Sequence, residues 1–65
     1  MTLKELLKVI PANELILLRS YDGFPCTRWI RTEDEYTYGA RTVKEICTTM
    51  DDYPVIVVRI EGDIV

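Results

Sequence analysis

The stretch TVKEICTTMDDYPVIVVR, residues 42–59, decides the fold, because it restates TLKELLKVI…ELILLR, residues 2–19, at an offset of 40 residues and without a gap. Thr2/Thr42, Lys4/Lys44, Glu5/Glu45, Ile16/Ile56 and Arg19/Arg59 are identical. Leu3/Val43, Leu6/Ile46, Ile10/Met50, Leu15/Val55, Leu17/Val57 and Leu18/Val58 keep apolar character. Both copies read as helix followed by strand. Thr2 with Glu5, and Thr42 with Glu45, have capping-box spacing, in which a hydroxyl and a carboxylate each accept an amide hydrogen bond at a helix start. Leu3, Leu6, Leu7 and Ile10 share one helical face, as do Val43, Ile46, Cys47 and Met50, which places Cys47 in the core. Pro11 stops the first helix. The strands are Glu14 to Arg19, extendable to Ser20, and Pro54 to Ile60. Duplication and convergence account for the repeat equally well.

Working outward, Leu15 to Leu18 is an unbroken apolar run, which fits a strand covered on both faces. Tyr21-Asp22-Gly23-Phe24 is a turn signal, so a hairpin should return through part of Cys26 to Thr32, with Pro25 at its start. Glu33-Asp34-Glu35 reads as a solvated hairpin tip, and Tyr36 to Gly39 as a short strand or an extended loop. Glu61-Gly62-Asp63 reads as a turn. Ile64 and Val65 then begin an edge pairing, contact the hairpin, or continue into a longer chain. The expected fold over residues 1–65 is one small α+β domain: a three- or four-stranded mixed or antiparallel sheet with two helices packed on one face.

Composition narrows the chemistry. With 65 residues there is room for one core, and 48% apolar residues suffice to build it. The chain has no histidine, which removes the usual neutral-pH proton relay, His-dependent triads and the common zinc-hydrolase sets. No glycine-rich phosphate cradle is present, since Gly23, Gly39 and Gly62 are isolated. The expectation is a non-enzymatic protein with no cofactor, no metal and no catalytic residues. Cys26 and Cys47 have no CxxC spacing and prescribe no disulfide, and no apolar run approaches a membrane span. A cytoplasmic location without membrane contact is therefore expected.

A net charge of −3 disfavours direct nucleic-acid binding, which needs a concentrated positive surface. The local exception is Arg28, Trp29 and Arg31 with Arg41, where stacking could supplement low basicity. The favoured site is a protein-binding surface of Tyr21, Glu33, Asp34, Glu35, Tyr36 and Tyr38, with Phe24 and Trp29 assigned to the core. Aromatics offer large contact area at low entropic cost, and the acids suit a basic partner. A homodimer is the other expected association, because so short a chain gains from covering its sheet.

TLKELL at residues 2–7, YDG at 21–23 and TVKEI at 42–46 together resemble small uncharacterised proteins carried by phages and mobile elements of Gram-positive bacteria. The resemblance carries no catalytic residues. It implies an accessory protein acting on a host or phage complex, including inhibition of bacterial defence.

Overall fold

The computed structural model describes residues 1–11, 13–22 and 27–64. The first capping box forms as its spacing predicts. The Glu5 amide donates to Thr2 Oγ1 at 3.2 Å, and the Thr2 amide donates to Glu5 Oε1 at 2.9 Å. This box opens helix α1, Leu3–Val9, which buries Leu3 and Leu6. Its cap residue Ile10 is already extended, at φ −88° and ψ 129°, as the residue before Pro11 should be.

The second capping box does not form. Residues 42–50, expected to be helical, supply most of strand β3, Val43–Asp51. Three effects explain the correction. Val43, Ile46 and Thr48 are β-branched and stiff about χ1, whereas the matching Leu3, Leu6 and Lys8 are good helix formers. Asp52 takes a left-handed conformation, φ 61°, and folds the chain back so that Asp51 pairs with Tyr53. Strand β4, Tyr53–Ile60, needs hydrogen-bonding partners on both edges, and residues 43–51 are the adjacent segment able to fill one. Glu45, free of a cap role, lies 3.4 Å from Arg59.

Strand β1 is Ile16–Ser20 and strand β2 is Thr27–Trp29; they pair antiparallel, within the expected hairpin. The apex residues Gly23 to Cys26 lie outside the described residues, as do Phe24 and Val65. The sheet order is β2-β1-β4-β3, with β1 and β4 parallel and β3 and β4 antiparallel. Each residue of β1 lies beside its repeat counterpart: Ile16 beside Ile56, Leu18 beside Val58, Arg19 beside Arg59. Thr2 and Thr42 also meet, in an isolated bridge. The two copies therefore pair with one another at both ends while differing in between. Pro54 precedes the stretch of β4 that faces β1, so its missing donor interrupts no bond to that strand.

Helix α2, Asp34–Tyr38, takes the place of the expected hairpin tip and of the short strand or extended loop after it. Acids in its first turn suit the positive end of the helix. The lack of a side chain on Gly39 lets α1 approach closely: a Cβ there would stand 3.3 Å from that of Lys4, and the Lys4 amide donates to the Gly39 carbonyl at 2.9 Å.

The fold is α+β, a four-stranded mixed sheet with two helices on one face. Leu3 and Leu6 of α1 and Tyr38 of α2 pack with Ile16 and Leu18 of β1 and Val58 and Ile60 of β4. Ile64 joins this core. Val55 and Val57 are buried on the opposite face, so the central strand is covered on both sides.

Candidate protein-binding surface

The surface is built around a clamp between β2 and α2. Arg28 grips Asp34 with both terminal nitrogens, at 2.7 and 2.9 Å, and the Arg31 amide donates to the same carboxylate at 2.7 Å. Asp34 is 1% exposed. Hydrogen bonding from Arg28, opposed by burial, holds its carboxyl below the usual aspartate range, and the same bond raises Arg28 above the ordinary arginine value. Arg28 also stands 5.9 Å from the Tyr38 ring centre, and Arg41 stands 4.7 Å from it. Arg41 donates to the backbone carbonyls of Glu61 and Asp63. Gly62, between them, has φ 83°, and a Cβ there would lie 2.8 Å from the Arg41 guanidinium. The Asp22 carboxylate, at the same end of the β1–β4 pair, accepts from the Gly62 amide at 2.8 Å.

These contacts divide the six protein-binding candidates. Asp34 and Tyr38 are interior, and Tyr38 is a core residue, contrary to its assignment as a contact residue. Glu35 and Tyr36 remain together on α2, with Glu33 at its N-cap. Tyr36 is 86% exposed, the most exposed of the large apolar side chains. Tyr21, half exposed, leaves β1 at the end away from Ile16 and does not adjoin α2 among the described contacts.

The alternative basic group divides too. Arg28 and Arg41 are occupied internally, while Arg31 is exposed and lies 3.7 Å from Glu33. Trp29 is 45% exposed, not core, because β2 is an edge strand. It pairs with Leu17, whereas Arg28 pairs with the core residue Leu18, so Trp29 and Arg28 lie on opposite faces. Cys47 is likewise exposed, on the outer strand β3.

Beside α2 opens a cleft of about 240 Å³ floored by Leu7, Ile10, Pro11, Ile16 and Ile30. Glu14, Arg31, Thr32 and Glu35 form its polar margin. Sequence reasoning read Leu7 and Ile10 only as core. The missed signal is their position at the end of the helical stripe, where both are only partly buried against the core. Among the described residues no three His, Cys, Asp or Glu side chains gather as metal ligands, and no helix is long and apolar enough to cross a membrane. No family model, curated protein or solved structure matches the chain.

Proposed function

We propose that this chain is a small non-enzymatic accessory protein that binds another protein through α2 and the adjoining cleft. The observation that carries the reading is Tyr36, 86% exposed on a helix whose Glu35 forms the margin of an apolar cleft. An exposed aromatic beside an apolar recess is the arrangement of an interface hot spot: the recess accepts an apolar anchor, and the tyrosine covers it. Glu14 and Glu35 at its margin, with Glu33 offsetting the Arg31 charge there, favour a partner carrying lysine or arginine about that anchor. Basic surfaces of this kind belong to machinery that handles nucleic acid, which makes inhibition of a bacterial or phage complex the specific form of the proposal.

The test is capture from nuclease-treated lysate with the wild type, Tyr36→Ala and Ile30→Glu. A saturable protein partner should be lost with either substitution while the circular dichroism spectrum stays unchanged. A partner retained by both folded variants would place binding elsewhere. Recovery of nucleic acid that disappears on Arg31→Glu would replace the proposal with the basic and aromatic alternative.

A further inference from the structure

We infer that β3 pairs with β3 of a second copy of this chain, antiparallel about a two-fold axis through Thr48. β3 is the outermost strand of the sheet. In a strand, the amide and carbonyl of one residue point to the same side, and successive residues alternate. β4 turns its even-numbered residues toward β1, since the Ile56 amide donates to the Leu15 carbonyl and the Ile60 carbonyl accepts from the Tyr21 amide. Its odd-numbered residues therefore bond β3, where Val55 faces Thr49, Val57 faces Cys47 and Arg59 faces Glu45. Ile46, Thr48 and Met50 are left with their amides and carbonyls directed out of the sheet.

The start of this edge is protected, and Asp51 sets a charge at its end. The Val43 amide donates to the Met1 carbonyl at 2.9 Å, Thr2 bridges Thr42, and a bulge lies between Val43 and Glu45 beside the charge of Lys44. From Ile46 to Met50 there is neither charge nor proline nor bulge. The open ladder is centred on Thr48.

Its side chains identify the occupant. Ile46 and Met50 are 49% and 72% exposed and lie on the same face, one on either side of Thr48. Antiparallel pairing about Thr48 sets Ile46 against Met50 of the second copy and Met50 against its Ile46, with the two Thr48 residues opposed. One self-complementary contact thus covers both exposed side chains twice, as a two-fold interface requires. Glu45, at the rim, already faces the compensating charge of Arg59. The pairing joins two four-stranded sheets into one. It leaves the cleft open, because the cleft is formed toward the β2 side, and so it stands independently of the proposed function.

Sedimentation across a concentration series tests it, with the mass expected to rise from 7.6 kDa toward twice that value. Thr48→Pro, and separately Ile46→Lys with Met50→Lys, should keep the protein monomeric with unchanged circular dichroism, because the affected groups face outward. The register has its own readout. In a Cys26→Ser, Cys47→Ser background, Thr48→Cys should cross-link to itself on mild oxidation, since opposed residues of a bonded antiparallel pair have Cα atoms about 5.5 Å apart, within disulfide reach. Ile46→Cys should not. A wild type monomeric throughout the series, a dimer that survives the folded lysine pair, or preferential cross-linking through position 46 would overturn the inference.

Discussion

Residues 2–10 and 42–50 begin with the same T-x-K-E signature, yet the first is a capped helix and the second an edge strand. The shared signature permits a helix start without imposing one. The residues after it decide: leucines and Lys8 before Pro11 in the first copy, and Cys47, Thr48 and Thr49 before a tight turn in the second. The partner available to each segment matters as much. Residues 2–10 meet an apolar sheet face, which a helix covers with one stripe. Residues 42–50 adjoin β4, whose open edge demands backbone hydrogen bonds that only a strand can supply.

The largest expected effect lies in the burial of matching residues. Leu3 is fully buried and Val43 only partly, so Leu3→Ala should cost about 3 kcal/mol and Val43→Ala about 1 kcal/mol in urea denaturation. The reverse order would break the comparison. Next comes the segment between the copies. Asp34→Asn leaves Arg28 without its carboxylate and should cost about 2 kcal/mol. Because the folded state holds the Asp34 carboxyl below its ordinary value of 3.8, its stabilisation is complete above that value and lost as pH falls through the folded pKa. Acid titration of stability should therefore show a steeper loss below about pH 4 in the wild type than in Asp34→Asn.

A finer test compares the two threonines. Thr2→Ala removes a working cap and should cost about 1 kcal/mol, whereas Thr42→Ala removes none and should cost a few tenths at most. Equal losses would mean that the cap is not what separates the copies. The smallest effect belongs to the turn. Asp52→Gly should raise stability by about 0.5 kcal/mol by relieving its positive φ, and Asp52→Val should lower it by about 1 kcal/mol.

The α+β class, α1 with its cap, the hairpin of β1 and β2, and β4 were legible because local signals and tertiary demands agree there. Leu15 to Leu18 read as a strand covered on both faces, but β1 buries Ile16 and Leu18 on one face while Leu15 is 42% exposed and Leu17 half-buried on the other. At residues 42–50 helical spacing of apolar residues competed with β-branching, and the need of β4 for a neighbour tipped the balance; that need is invisible in any short window. The candidate site was legible in part. Glu33 and Tyr36 are exposed, as a solvated segment should be, but they lie on the cap and turn of a helix instead of a hairpin tip, and the fork between Arg28 and Asp34 draws one acid of the cluster inside. No feature of EDE marks which carboxylate an arginine on another element will capture. The cleft escaped notice because its walls come from α1, β1, Ile30 and α2, four places joined only by the fold.

The parallel pairing of β1 with β4 also governs how the chain acquires its structure. Every contact in that ladder joins residues 40 positions apart, so the centre of the sheet closes a loop spanning most of the molecule before it gains any bonding. Such non-local pairing slows folding for a chain's size, whereas the β1–β2 and β3–β4 pairs are local and close early. During synthesis α1 and the hairpin emerge first with their apolar faces uncovered, and they acquire a stable neighbour only after Ile60 has left the ribosome. Closure of this sheet therefore waits for β4, and the segments made before it are the ones that a chaperone would meet exposed.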